Sequence, residues 1–457
     1  MKDLTVGKEG PIILKFALPM LLGNVFQQLY NIVDSVVVGN YLGKEALSAV
    51  GASFPLIFVM LSLVIGFGMG TSIIVAQYFG AKKMDHVKKA VDTMFIVMFF
   101  SSIVLTIVGI AASEWIFRLI KLPESILSYA VTYFNITMIG NIATFGYNGV
   151  TAILRGLGDS KTPLYFIIIS TIVNIVLDLL FVIVFKWGIA GVAWATIISQ
   201  TGAFITAIIY LNRTHKIIKF TLFKWEFDKS IFTKTLKIGL PSGMQHMFVS
   251  IGMLALFGIV NQFGTDVIAA YSVASRIDSF ALLPAMNFSM ALTSFVGQNI
   301  GANRQDRVKS GMWATIKMTS YISIFFTIIS VLFGRSLMRL FTPDLAVIEI
   351  GAHYLLIVSL FYVLFSVMFT VNAVFRGAGD TLIPMFITLA SLWLIRVPLS
   401  YVLSMDIQFT DILHWTGQPG NVSGIWWGIP IAWIFGTVVS YLYYLTGKWK
   451  TKAVVHN

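Results

Sequence analysis

The chain has 457 residues, 57% hydrophobic and 11% charged, with a mean hydropathy of +0.84 and a formal net charge of +12. A soluble domain carries about 25% charged residues, so this chain cannot cover itself with charge and its main solvent is lipid. It has no cysteine, which excludes disulfides, thiol catalysis and thiolate metal sites.

Hydropathy predicts twelve membrane-spanning helices, near 12–38, 54–78, 92–112, 129–153, 163–185, 189–211, 236–260, 267–297, 312–334, 349–374, 383–404 and 424–446. "TMFIVMFFSSIVLTIVGIAAS" (93–113) is typical. It is uncharged over more than the roughly 18 residues that mark a spanning helix, and too long for a membrane strand of about 9–11. The leading "MKDLTVGKEGP" is polar and lacks a small-residue cleavage site, so no removable signal is expected. With the N-terminus cytoplasmic, the even-numbered connections and both tails hold about 24 of the 32 Lys and Arg residues, and the odd connections about 6. This is the positive-inside bias, and it predicts cytoplasmic N- and C-termini. The basic charge is then topology divided among short loops. It is not a nucleic-acid surface.

The spans fall into two sets of six. "QYFGAKKMDHVK" (77–88) returns as "QNIGANRQDRVK" (298–309), and "AILRGLGDSKTP" (152–163) returns as "AVFRGAGDTLIP" (373–384). Both pairs lie 221 residues apart, as Gln77 and Gln298 do. "ALPMLLGN" (17–24) and "GLPSGMQH" (239–246) match at nearly that offset. Copies six spans apart run in the same direction, so the halves form a parallel repeat about an axis along the membrane normal. The expected division is an N-terminal lobe 1–211, a cytoplasmic linker 212–235 and a C-terminal lobe 236–457. In the repeated loops the glycines permit a tight turn, Asp159 and Asp380 can cap helices, and Pro163 and Pro384 suit a first turn. A structural role such as a cytoplasmic latch is expected there. No phosphate-loop sequence occurs.

Four spans of the first half carry a polar face. In span 1, Asn24, Gln27, Gln28, Asn31, Asp34 and Ser35 fall within about 120° of the helix. Span 4 aligns Thr137, Asn141, Thr144, Asn148 and Thr151. Span 5 aligns Ser170, Thr171, Asn174 and Asp178, and span 6 aligns Thr196, Ser199, Gln200 and Thr206. Such faces turn away from lipid, and together they predict a polar chamber. Asp34 and Asp178 are the carboxylates well inside these spans, at similar depth toward the outer side. One reading is structural, with both acids bonded to Tyr30, Asn174 and Thr196. The other is chemical. Two carboxylates in one low-dielectric site cannot both stay ionised without a counter-cation, so a proton or a sodium ion is their natural ligand. No histidine lies on these faces, which argues against a transition metal. Pro19 leaves the carbonyl of Lys15 unpaired and can let span 1 bend.

The second half does not copy the acids. At the repeat offset Asp178 meets Leu399, and Asn174 meets Ile395. Span 10 instead aligns Phe361, Tyr362, Phe365, Met368, Phe369 and Asn372. This stripe is either packing or a wall for an aromatic organic cation. Asp278 in span 8 and Arg396 in span 11 lie at similar depth and are expected to pair.

"LPMLLGN…YNIVD" in span 1, "QYFGAKK" after span 2, "RGLGDSKTP" before span 5 and the twelve-span duplication resemble the multidrug and toxic compound extrusion (MATE) transporters, over essentially the whole chain. "YNIVD" and "NIVLD" resemble the DinF-type branch. The resemblance implies an all-α integral membrane protein with twelve transmembrane helices in two six-helix pseudo-symmetric lobes. It implies a proton or sodium site at Asp34, Asn174 and Asp178, surrounded by Tyr30, Asn148 and Thr196. Gln27, Asn31, Tyr362, Phe365, Phe369 and Asn372 become candidates for substrate contact. The NorM-type branch uses carboxylates in spans 7 and 10, where this chain has Gln245, His246 and Asn372. The implied activity is a monomeric antiporter of a bacterial or archaeal inner membrane, with no cofactor and no enzymatic reaction. It exports small organic, cationic or amphipathic compounds in exchange for H+ or Na+. The rivals are a flippase for lipid-linked sugars, a passive channel and a membrane-embedded enzyme. The flippase would want a basic cavity, where the spans offer Arg276 and Arg396. The enzyme would need a histidine constellation, whereas the six histidines are scattered.

Overall fold

The computed structural model describes residues 2–214, 226–406 and 418–455. Residues 215–225 of the expected linker lie outside that set. Nine helical runs are long and apolar enough to cross a membrane, and two bent pairs of shorter helices each make one more span. The first run, Glu9–Gly80, has 72 residues. At 1.5 Å per residue that is about 108 Å of helix, against a hydrocarbon core of about 30 Å. It is two spans, Glu9–Val37 and Gly43–Gly80, separated at Gly43, whose φ of +84° a side chain would resist.

Twelve spans therefore follow in chain order among the described residues. Span 1 is Glu9–Val37, span 2 Gly43–Gly80 and span 3 Met84–Leu119. Span 4 is Glu124–Ile139 with Asn141–Gly156, span 5 Lys161–Val184 and span 6 Gly188–Thr214. Span 7 is Lys229–Phe263, span 8 Thr265–Gly301 and span 9 Gln305–Arg339. Span 10 is Leu345–Ser359 with Tyr362–Ala378, span 11 Leu382–Ser404 and span 12 Ser423–Thr446. The fold is the expected all-α, two-lobe arrangement. Among the described residues the one strand pair is two residues long on each side, Met405–Asp406 against Gln418–Pro419.

Two features differ from the sequence reading. Span 2 starts at Gly43 rather than 54, because Pro55 sits inside a continuous helix. A proline removes one N–H and frees one carbonyl, and good helix formers such as Lys44, Glu45, Ala46 and Leu47 carry the helix past it. Spans 4 and 10 are not straight, with bends of 51° and 49°. The bends fall at equivalent places, Gly140 and Phe361, again 221 apart. A Cβ on Gly140 would lie 2.5 Å from Ile197 of span 6, so the close approach of spans 4 and 6 at this bend needs a residue without one.

The apolar core reveals how the lobes meet. Two clusters are confined to one lobe each: Val37 through Ala193 in the first, and Leu256 through Trp433 in the second. Both lie toward the end away from the termini. The other two clusters mix the lobes. One joins spans 2–6 to Ile231, Ile238 and Val454, and the other joins Leu4, Phe16 and Met20 to Phe288, Phe295 and Val374. The lobes thus share a core at the end bearing the termini, which we label the inner end, and diverge toward the opposite end, labelled outer. Gly51 and Gly258, in the outer parts of spans 2 and 7, have nothing within 4 Å of where a Cβ would stand.

The contact between lobes is built on small residues. Spans 2 and 7 interlock through Gly66 and Gly70 against Gly239 and Gly243: a Cβ on Gly66 would stand 2.5 Å from the Gly239 carbonyl. Such spacing lets backbones approach as in small-xxx-small membrane contacts. Nearer the inner end spans 2 and 8 cross at Gly80 and Gly301. A Cβ on either would collide with the carbonyl of Gln298 or Gln77.

Candidate functional site

Span 1 places Asn24, Gln27, Tyr30 and Asp34 at intervals of three and four, hence on one face. Span 5 does the same with Thr171, Asn174 and Asp178, and the two spans pack together. Asp34 is 8% exposed, Asn174 1% and Asp178 0%. The carboxyl groups of Asp34 and Asp178 lie close enough to act on each other, with Asn174 beside Asp178. Among the described residues, Asp34 Oδ1, both carboxyl oxygens of Asp178 and both polar atoms of Asn174 are buried with no hydrogen-bond partner. Among the described residues no ion pair reaches either acid, although such pairs form elsewhere, as between Lys88 and Asp92.

Each acid stands just before a π-helical turn, Val38–Leu42 after Asp34 and Leu180–Val184 after Asp178. The two turns touch. At the junction the Val38 N–H is shared between the carbonyls of Asp34 and Ser35, and the π-turn beyond it has i→i−5 bonds. Such turns inside helices are frequent at functional sites.

Beside the acids lies a cavity of about 80 Å³, lined by Gln27, Tyr30, Asn148, Thr171, Ser199 and Gln200 among others. This is the polar chamber the four faces predict. The Tyr30 hydroxyl and the Thr196 hydroxyl are 2.9 Å apart, so Tyr30 and Thr196 bond each other. Asn148 donates to the Thr144 carbonyl at 2.8 Å, and Thr144 donates to Gln200 at 2.5 Å. Sequence reasoning missed Tyr133, whose ring is buried within reach of both acids' charges. The signal was present: Tyr133 precedes Thr137 and Asn141 by four and eight residues and extends the span 4 face by one turn.

The face of span 1 divides. Gln28, Asn31 and Ser35 are exposed. Polar side chains cannot face hydrocarbon cheaply, so this side looks into the space between the diverging lobes. Asn31 donates to Gln28 there, and Ser35 bonds the Asn31 carbonyl. In the other lobe Tyr362, Phe365 and Asn372 are buried and Phe369 partly so. Phe365 stacks on Phe369 at 4.2 Å and lies 5.2 Å from Trp433 of span 12. Asn372 accepts from Ser440 at 3.1 Å. In this conformation the span 10 stripe packs against span 12, and the structure does not bring it to Gln27 and Asn31. Gln245 donates to Thr388 at 2.6 Å. Asp278 and Arg396 do not form the expected ion pair. Asp278 instead accepts from Tyr354, because span 10 presents that tyrosine within reach, while Arg396 Nε is left without a partner.

The repeated motifs form the closure at the inner end. Gln77 donates to the Gly377 carbonyl at 2.9 Å and accepts from the Val454 N–H at 2.7 Å. Gln298 mirrors it, donating to the Gly156 carbonyl at 2.9 Å and accepting from the Leu4 N–H at 2.9 Å. Each glutamine reaches the loop of the opposite lobe and holds one terminal segment. Asp159 caps span 5, accepting from Lys161 and Thr162, and Asp380 accepts from Tyr443 at 2.6 Å.

Comparison with known proteins places this arrangement. The family model described as MatE matches twice, over residues 19–180 and 241–402. A model described as Lipid II flippase MurJ matches residues 156–258. The probable multidrug resistance protein YpnP of Bacillus subtilis (strain 168) is 35% identical, over 98% of this chain and 97% of its own. YoeA of the same organism, also named a probable multidrug resistance protein, is 33% identical over 96% and 94%. An outward-facing multidrug resistance MATE family transporter of the MOP superfamily has the same fold, with a TM-score of 0.89 at 24% identity over 99% of both chains. A MOP superfamily transporter from Pyrococcus furiosus Vc1 gives 0.88 at 25% over 97% of both. With one family copy in each repeat and full-length relatives above 30% identity, the chain belongs to the MatE family of multi-pass membrane transporters, which carry out drug efflux and are not enzymes.

Proposed function

We propose that this protein is a cation-coupled antiporter that exports small organic compounds, cationic or amphipathic, in exchange for H+ or Na+. The observation that carries this reading is the Asp34–Asp178 contact, whose buried oxygens no protein donor satisfies. A shared proton, or a sodium ion held with Asn174 and a nearby carbonyl, supplies what the site lacks. Tyr30, Thr196, Asn148 and Tyr133 shape its surroundings. Substrate enters between the lobes beside Gln27 and Asn31, and the span 10 side chains Tyr362, Phe365, Phe369 and Asn372 are the wall it meets when that lobe repacks. Loading the acids with a cation removes the negative charge that attracts an organic cation, so the two ligands exclude one another. Moving one charge through about 100 mV supplies about 2.3 kcal/mol, enough for a gradient of about 40-fold at about 1.4 kcal/mol per decade.

The residue division 1–211, 212–235 and 236–457, a monomer, an inner membrane and cytoplasmic termini complete the proposal. The basic residues at the inner end support that orientation. The lobes here diverge at the outer end, so this conformation is the outward-facing one. The partial match to a lipid II flippase model favours a second reading, transport of a lipid-linked anion. The acid pair argues against it, since an anion would meet repulsion there.

The test is efflux from proteoliposomes under an imposed proton or sodium gradient, each alone. One gradient should drive export of a cationic dye, and the Asp34→Asn, Asp178→Asn protein should not respond. Dye movement indifferent to both gradients would overturn the proposal in favour of a passive channel.

A further inference from the structure

We propose that Asp278, in the C-terminal lobe, binds an exchangeable proton, at a second site that shares no residue with the Asp34–Asp178 centre. Asp278 lies in the outer half of span 8 and is 8% exposed. Its Oδ2 accepts from the Tyr354 hydroxyl at 3.3 Å, and its Oδ1 is buried without a partner. The Tyr362 hydroxyl also lies beside it, close enough to act on the acid, but among the described residues it makes no hydrogen bond of good geometry. An ionised carboxylate offers about four acceptor positions, and the two tyrosine hydroxyls can fill at most two of them. Acceptors exceed hydroxyl donors while Arg396 stays apart. A proton on Oδ1 satisfies that oxygen and can be donated to the Tyr362 oxygen.

The proton can also leave. Arg396 of span 11 lies near enough for its charge to act on Asp278, Tyr271 and Tyr354, yet among the described residues it forms no ion pair, and its Nε is buried without a partner there. Once Asp278 loses its proton, this guanidinium is the counter-charge at hand. The acid therefore has two satisfied states, protonated with Arg396 apart, or ionised with Arg396 drawn in. Removing one member of a buried pair strands the other's charge, which couples the proton to the position of span 11. The groups facing Asp278 are Tyr271 from its own span, Tyr354 and Tyr362 from span 10 and Arg396 from span 11. Arg276 is exposed, and His353 is exposed and bonds Ser423. A metal cation does not fit, because the site has one carboxylate and an arginine beside it.

The repeat supplies an independent observation. Tyr354 stands 221 residues after Tyr133, so the same tyrosine of spans 4 and 10 faces a buried acid in each lobe. The acids come from different helices, spans 1 and 5 in one lobe and span 8 in the other. Scaffold position was kept while the acid was supplied anew.

The experiment is infrared titration of the purified full chain, reading the carbonyl stretch of buried protonated carboxylic acids. Asp278→Asn should remove one band that the Asp34→Asn, Asp178→Asn protein retains. Arg396→Gln should enlarge that band severalfold at neutral pH, since the alternative counter-charge is gone. Tyr362→Phe should shift its frequency. If Asp278→Asn proves too unstable, the Arg396 and Tyr362 variants decide alone. An acid band spectrum unaltered by these substitutions, at neutral and acidic pH, would show Asp278 to be permanently ionised and the proposal wrong. A purely structural role would lower the melting temperature without moving any band.

Discussion

The two lobes descend from one six-helix unit and use it differently. They share the bends at Gly140 and Phe361, the gate glutamines Gln77 and Gln298, and the tyrosines Tyr133 and Tyr354. They differ at their polar centres. The N-terminal lobe sets two facing acids beside a polar cavity with no base near them, whereas the C-terminal lobe sets one acid between tyrosines and an arginine. Positions that make the lobes swing are duplicated, because both halves of a hinge must fit one axis. Positions that hold a ligand are free of that constraint and have diverged.

The sharpest break of this comparison is to neutralise the acids one lobe at a time. Asp34→Asn or Asp178→Asn should reduce gradient-driven export to background, while the purified protein stays folded, since each change removes charge from a site already short of donors. Resistance assays in cells and dye efflux in proteoliposomes both measure it. Full export by either variant would mean that the N-terminal pair is a structural acid contact.

The shared gate gives the next effect. The two glutamines together make four bonds that join the lobes or pin the terminal segments. At about 0.5–1.5 kcal/mol each, and with water replacing part of the loss at the inner end, Gln77→Ala with Gln298→Ala should favour inner opening by about 2–4 kcal/mol. That is about 30- to 700-fold in the equilibrium. The chain has no native cysteine, so spin labels at Lys83→Cys and Arg304→Cys report the distance across the gate directly. Both positions are exposed and equivalent in the repeat. The double variant should gain a long-distance population. Either single variant should give about half the free-energy change if the duplicated halves of the gate are equal.

Much of this was legible in the sequence, and the reasons differ by feature. Span number and repeat follow from hydropathy and the 221-residue offset, neither of which needs tertiary knowledge. The polar faces were legible because helical period alone decides which residues share a face. Which way a face turns was not. Gln28 and Asn31 share the span 1 stripe with Asp34 yet look into the inter-lobe space, because span 5 covers only the other edge of that stripe. The span 10 aromatics were ambiguous for the same reason, since Trp433 of span 12 is what they meet. Gln77 and Gln298 open the repeated loop motifs, but their partners lie 142 to 377 residues away. Asp278 and Arg396 were expected to pair from depth alone, and depth says nothing of the tyrosines between.

Those tyrosines give the smallest and most discriminating comparison. Tyr354 donates to Asp278, and no hydrogen bond is made by the Tyr133 hydroxyl among the described residues. Tyr354→Phe therefore removes the hydrogen bond made to a buried carboxyl oxygen, which costs about 1–3 kcal/mol. Tyr133→Phe orphans nothing, and its cost should stay within about 0.5 kcal/mol, the usual range for a change that strands no polar group. Melting in detergent should separate the two. Function should separate them the other way. The Tyr133 hydroxyl is a dipole within reach of Asp34 and Asp178. Its removal should change the cation affinity of the N-terminal site about two- to fivefold, an effect of under about 1 kcal/mol, while Tyr354→Phe leaves that affinity alone. Equal stability losses in the two variants would mean that Tyr133 also holds an acid by a hydrogen bond, and the lobes would then be more alike at their centres than the geometry shows.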